Sequence, residues 1–179
     1  MKRIGILGDI GSGKSFVAKC FGYPVFNADL EVTKIYKKDK NIFKELKKEL
    51  PIYFNTFPIN KNNIINAILA DKNNLKKIIK IVHRKVRKKF NIFLKKNKNK
   101  KIVILDIPLL LENKIDKKKD ILIFVESKKL EIAKRLKKRK NFNTKIHRNF
   151  KKIQLSLDYK KRRSQFIIKN NFNKNSVRM

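Results

Sequence analysis

A chain of 179 residues is long enough for one domain with a real core and a small insertion, and 41% hydrophobic residues with 13 Phe support a folded globule. A single cysteine excludes a disulfide framework, no apolar run reaches the length of a membrane span, and no signal-peptide pattern precedes the first apolar segment; a cytoplasmic protein with no membrane partner is expected. The formal net charge of +35 is spread along the whole length, amid abundant Lys, Asn, Ile and Phe and no Trp, which reads as the drift of an AT-rich coding sequence more than as a dedicated nucleic-acid surface; non-specific attraction to polyanions follows either way.

The first predicted element is a strand over residues 2–7, from the apolar run Ile4-Gly5-Ile6-Leu7. Residues 8–15 then read Gly-Asp-Ile-Gly-Ser-Gly-Lys-Ser, a full G-x-x-x-x-G-K-[ST] pattern, and near-helical apolar spacing predicts a helix over 14–21. Strand, loop and helix in that order are the context that makes the pattern a phosphate-binding loop. Three of the 5 glycines fall inside it, which argues against a chance match. Glycine lets the backbone wrap closely around a polyphosphate, successive N–H groups form an anion nest, and the following helix adds its positive end. The candidate nucleotide contacts are Gly8, Gly11, Ser12, Gly13, Lys14, Ser15 and Phe16, with Lys14 reaching the β- and γ-phosphates and the Ser15 hydroxyl serving Mg²⁺. The ligand is a nucleoside triphosphate. Cys20, in the same helix, reads as a small core residue.

A short strand over 23–26 ends at Asn27-Ala28-Asp29, and a helical tract follows. It includes 39–50, breaks between Pro51 and Pro58, and resumes over 62–96 with Ile64, Ile65, Ile68, Leu69, Leu75, Ile78, Ile79 and Val82 at helical spacing. Residues 39–96 therefore read as a helical insertion between core strands. After a charged connector over 95–101, the clearest strand covers 101–106 and closes in Asp106. Another strand covers 121–125, a strongly basic helix 130–139, a polar lid-like stretch 140–150, a helix 154–163 and a last strand 165–168. Alternating strands and helices predict a three-layer α/β fold with a five-stranded parallel sheet, ligands lying at the carboxyl ends of the strands. The whole chain, 1–179, reads as one domain, with the lid over 138–152.

The loop, Asn27-Ala28-Asp29, His83, Asp106-Ile107-Pro108-Leu109-Leu110-Leu111-Glu112, Arg135 with Arg139, then Gln154 and Asn170 form an ordered series that resembles the dephospho-CoA kinase family over about residues 2–171. The strand ending in D-x-P-L-L-x-E is its most specific element. The resemblance implies ATP and dephospho-CoA as substrates, Mg²⁺ as the metal, and transfer of the γ-phosphoryl group to the ribose 3′-hydroxyl. It makes Asp29 and Lys14 the catalytic pair, with Asp29 accepting the proton of the attacking hydroxyl; a helix N-cap is the structural alternative for that carboxylate. It makes Asp106 a second-shell Mg²⁺ contact, or else the cap of a Pro-containing turn. The acceptor would meet Asp29, His83, Pro108, Leu109 and Leu110, with Glu112 ordering their loop, although Leu109 to Leu111 also suit ordinary core. Arg139 would stack on or pair with ATP, Arg135 lies one turn earlier where a solvated face is the alternative, and Asn170 would lie near the adenine. A monomer without a specific nucleic-acid partner is expected.

The chain departs from the family pattern at Leu7, Asp9, Phe16, Asn27, Asn62 and Arg84. Asp9 must point away from the phosphates, since like charge would weaken ATP binding. Asn27 leaves Asp29 as the one carboxylate of its segment. Two rivals keep the same loop: a nucleotide kinase with another acceptor, and a nucleic-acid-binding protein favoured by the charge.

Overall fold

The computed structural model describes residues 1–138 and 142–172. Arg139, expected to contact ATP, lies outside them. The chain divides into two compact units, Met1–Asn27 with Lys96–Met179, and Ala28–Lys95.

In the first unit, β1 (Lys2–Gly8), β2 (Val25–Asn27), β3 (Ile102–Asp106), β4 (Ile121–Glu126) and β5 (Phe166–Lys169) form one parallel sheet in the order β2-β3-β1-β4-β5. The expected five-stranded parallel sheet is present. β1 is buried along almost its whole length because a central parallel strand is covered on both faces, which is why its sequence is a run and not an alternation. On one face Ile4, Ile6, Ile104, Ile123 and Val125 pack on Val17 and Ala18 of α1 (Lys14–Cys20). With those two residues as the buried stripe, Cys20 falls on the outside of α1 and is exposed, against the expectation of a core position. The chain leaves β1 toward β2 on one side and β4 toward β5 on the other. The sheet thus switches direction between β1 and β4, where the loop over 9–13 emerges.

The other helices of this unit are α6 (Lys129–Lys137), α7 (Thr144–Lys152) and α8 (Leu157–Arg163). Much of the stretch expected as a polar lid is helical: Asn143 caps α7 by accepting from the Ile146 N–H at 3.0 Å. α7 buries no residue fully and carries only two apolar side chains, Ile146 and Phe150 four residues apart, so its polar composition reads as a loop in the sequence.

The second unit holds α2 (Ala28–Lys38), α3 (Lys40–Glu49), α4 (Lys61–Ala70) and all but the last residue of α5 (Lys72–Lys96). Ile35, Ile42, Leu46, Leu50, Phe54, Ile59, Ala67, Ile68, Ile78 and Val82 make its core. Asp39 caps α3 by accepting from Asn41 and Ile42. The tract expected as continuous over 62–96 breaks at Asp71, whose carboxylate accepts from the Asn73 N–H at 2.9 Å, while buried Asn74 donates to the Ala67 carbonyl at 3.0 Å. Among the described residues no helix is long and apolar enough to cross a membrane.

Candidate active site

The loop after β1 turns on Gly11 (φ 88°) and Gly13 (φ 90°), conformations that a side chain would strain. At Gly13 a Cβ would also lie 2.3 Å from Asn170 Nδ2. The loop is fixed from behind: the Ser12 carbonyl accepts from Asn170 Nδ2 and from Ser127 Oγ, both at 2.9 Å. Asn170 is 2% exposed and Ser12 1%, so this brace is interior structure. The resemblance placed Asn170 near the adenine; the structure adds that its amide bolts the end of β5 to the loop. Ser127 was not anticipated, because nothing in the sequence near it marks a contact 115 residues away.

Lys14 curls back over its own loop, donating to the carbonyls of Gly8 at 3.3 Å and Asp9 at 2.8 Å. The Asp9 carboxylate accepts from the Ile10 N–H at 2.7 Å, and Asp9 lines a cavity of about 180 Å³ with Glu126, Ser127 and Lys161. Its negative charge is thereby tied to a backbone donor of its own turn. Phe16 stands 46% exposed at the start of α1.

The ends of β2 and β3 are in register, Asn27 opposite Asp106. The Asn27 amide nitrogen donates to Asp106 Oδ2 and lies 3.3 Å from Ser15 Oγ, so hydroxyl, amide and a carboxylate only 3% exposed converge at one spot. Read from sequence as a lost carboxylate, Asn27 is the residue that joins Ser15 to Asp106. Of these, the Ser15 hydroxyl and the Asp106 carboxylate are hard oxygen donors that fit Mg²⁺, which keeps several waters and uses one or two protein oxygens together with phosphates, while the Asn27 amide nitrogen only positions them. Among the described residues no group of three or more His, Cys, Asp or Glu could hold a metal by itself.

Beyond β3 the chain turns through Pro108, Leu109 (φ 58°) and Leu110. Leu110 and Leu111 are buried, so their side chains are core, while Pro108 and Leu109 stay partly exposed. Glu112 holds this turn: its Oε1 pairs with Lys160 Nζ at 2.8 Å and accepts from the Leu155 N–H at 3.0 Å. Lys160 is 3% exposed and had no sequence signal, being one lysine among many.

In the helical unit, Asp29 lies in the first turn of α2, inside the helix and not at its N-cap, and its backbone carbonyl accepts from Thr33 Oγ1 at 2.9 Å. A carboxylate there is favoured by the helix dipole. His83 sits on α5, with its pKa held below the ordinary imidazole value by partial burial and by the charge of Arg87. Arg84, a departure from the family pattern, forks onto Glu45 at 2.7 and 2.5 Å.

The family model for dephospho-CoA kinase matches residues 2–176. A dephospho-CoA kinase of Wolbachia pipientis wMel is 35% identical over 179 residues, covering 97% of this chain and 91% of that protein. One from Bartonella henselae is 33% identical, covering 94% and 88%. Among solved structures, a Thermus thermophilus protein matches with TM-score 0.73 at 23% identity, over 98% of this chain and 92% of that one. The dephospho-CoA kinase from Campylobacter jejuni matches with TM-score 0.66 at 20% identity, over 99% and 92%. At those identities the structural matches speak for the fold, and the family rests on the sequence. By that match across nearly its full length, the chain belongs to the dephospho-CoA kinase family.

Proposed function

We propose that this protein transfers the γ-phosphoryl group of ATP to the ribose 3′-hydroxyl of dephospho-CoA. The observation that carries the donor half is the braced glycine loop, with Lys14 lying over it and the Ser15–Asn27–Asp106 cluster at its foot. Phosphoryl transfer asks little covalent chemistry of a protein; it needs phosphates held, charge offset and a hydroxyl aligned. Backbone N–H groups of Gly11 to Ser15 hold the phosphates. On ATP binding, Lys14 exchanges the Gly8 and Asp9 carbonyls for phosphate oxygens, a stronger charge-assisted partner. Ser15 would hold Mg²⁺ through its hydroxyl with Asp106 behind it, Asn27 keeping the two in register; the ion would supply charge neutralisation on the phosphate oxygens.

Asp29 takes the proton of the 3′-hydroxyl as it attacks. His83, Pro108 and Leu109 contact the acceptor, and Leu110 and Glu112 shape the turn that presents them. Arg139 and the segment 138–152 close over the donor and exclude water, which suppresses hydrolysis of ATP. The enzyme works as a cytoplasmic monomer without a specific nucleic-acid partner.

The test is direct. Purified protein with ATP and Mg²⁺ is offered dephospho-CoA alongside nucleosides, nucleoside monophosphates and sugars, and each product is identified by mass spectrometry and phosphorus NMR. Phosphate on the 3′-hydroxyl of dephospho-CoA, with the highest kcat/KM of the panel, is expected. Faster phosphorylation of another hydroxyl would assign the fold to a different acceptor.

A further inference from the structure

Two elements pack against the phosphate loop, one at Gly11 and one at Gly13, and touch each other. On one side Ile132 and Leu136 of α6 lie so close to Gly11 that a Cβ there would be 3.1 and 3.2 Å from them. On the other, the chain after β5 reaches Gly13, where a Cβ would be 3.2 Å from Cε1 of Phe172. The two sides are joined by one contact: the Arg135 guanidinium of α6 stands over the Phe172 ring, 4.1 Å from its centroid. Phe172 adopts φ 66°, a left-handed conformation unfavourable for an aromatic residue, and the buried Asn170 holds it there by accepting its N–H at 3.0 Å. A strained residue kept in place by a buried amide beside a binding loop points to a role at that loop.

We propose that Phe172 is a strap that competes with the donor's base for the face of Arg135, and so sets the affinity and base dependence of nucleotide binding. A guanidinium face accepts flat π-systems, and the ring and a purine are alternatives on it. The phosphates sit in the loop, so the base they carry must find its surface within a sugar's reach of that loop. Arg135, exposed overall, offers such a surface, and Phe172 covers one face of its guanidinium. Opening the strap gives up the stack but releases the backbone from its left-handed strain, which keeps the two arrangements close in free energy. The inference rests on ATP being the donor.

Calorimetric titration with ATP and with inorganic tripolyphosphate, which has no base, separates the strap from the loop. A strap closed about 70–90% of the time weakens apparent affinity by about three- to tenfold. Phe172→Gly, which suits the positive φ, should therefore tighten ATP by that factor and leave tripolyphosphate unchanged. In an Arg135→Gln background the same substitution should gain nothing, because the contested face is gone. Phe172→Asn, which also tolerates the left-handed region, repeats the measurement should the glycine variant fail to fold. ATP binding that is unchanged or weaker in Phe172→Gly overturns the proposal, as does an equal gain for tripolyphosphate or a gain that survives Arg135→Gln. If neither ligand binds the wild-type protein, the donor reading itself falls and the strap falls with it.

Discussion

The sheet-containing unit and the helical unit handle charge differently. The first buries part of it: Arg3 pairs with Asp120 at 2.7 Å with side chains 9% and 4% exposed, Lys160 pairs with Glu112 at 4% and 10%, and Asp106 is closed in at the end of β3, while Lys134 with Glu131, Lys161 with Glu126 and Arg163 with Asp116 keep their cations exposed. The second keeps it at the surface. Lys34 with Glu31, Lys77 with Glu49, Arg84 with Glu45, Lys85 with Asp39 and Lys89 with Glu31 all leave the cationic partner about a third exposed or more. Its stability comes from the apolar cluster from Ile35 to Val82. Apolar packing is non-directional, whereas a buried ion pair adds little net stability but is costly to break. One unit therefore spends interior charge on fixing where loops stand, and the other holds helices together without specifying its surface.

The sharpest way to break this contrast is a pair of substitutions, one in each unit. Asp29→Asn in α2 should lower kcat by about 10²–10⁴-fold, the worth of a positioned base, while ATP affinity measured by titration stays near wild type. Turnover near the wild-type rate would remove Asp29 from the chemistry. Lys14→Ala in the phosphate loop should lower kcat/KM for ATP by about 10²–10³-fold, and here ATP binding should weaken as well. A loss in both variants confined to the same kinetic constant would mean that the two units do not divide donor and acceptor tasks.

The glycine loop and the strands around it were readable before the structure because their signal is local. Gly8 to Ser15 is a contiguous pattern, the buried runs 4–7 and 102–106 could hardly be anything but central strands, and Asp106 marked the end of β3. What escaped was long-range or depended on which side of a helix is covered. Ser127, Lys160 and the brace from Asn170 to the Ser12 carbonyl join residues far apart in sequence. Cys20 was misjudged because a seven-residue helix with Val17 and Ala18 inward leaves its last residue outside. The stop at Asp71 was hidden because Ile64 to Val82 keep a helical spacing across it, though an aspartate able to cap the next helix was the available clue. The acceptor half remained a matter of resemblance, since neither His83 nor Asp29 carries a local pattern of its own.

A smaller effect sharpens the contrast in stability. Lys160→Met leaves Glu112 charged, 10% exposed and stripped of its cation, and should cost about 3–5 kcal/mol in denaturant unfolding. Arg84→Gln breaks an ion pair whose side chains are 62% and 40% exposed, and should stay within about 1 kcal/mol of wild type. Equal costs would mean that burial is not what separates the two units. A large cost for Arg84 alone would put the specifying charge in the helical unit instead.

The smallest effect is a pH dependence in the helical unit. His83 is held below the ordinary imidazole value, first by partial burial and then by Arg87. The unfolded chain takes up this proton near the ordinary value of about 6.5, while the folded chain resists until the pH is lower. Between those two points the unfolded state binds more protons, so stability rises with pH across that window. The contribution of His83 is thus complete above about 6.5 and is lost as the pH falls through the folded value. Glu31 and Asp39 also lose stabilising contacts on acidification. Burial raises both, but lysine partners, joined at Asp39 by the backbone N–H groups of Ile42 and Asn41, outweigh it and hold their pKa values below the usual carboxylate range, so their loss belongs to more acidic solution. Subtracting the urea midpoints of His83→Gln from those of the wild type, pH by pH, should isolate a decline that begins just below neutrality. Arg87→Gln should shift the His83 titration upward in NMR, and a titration that does not move would leave burial as the whole cause.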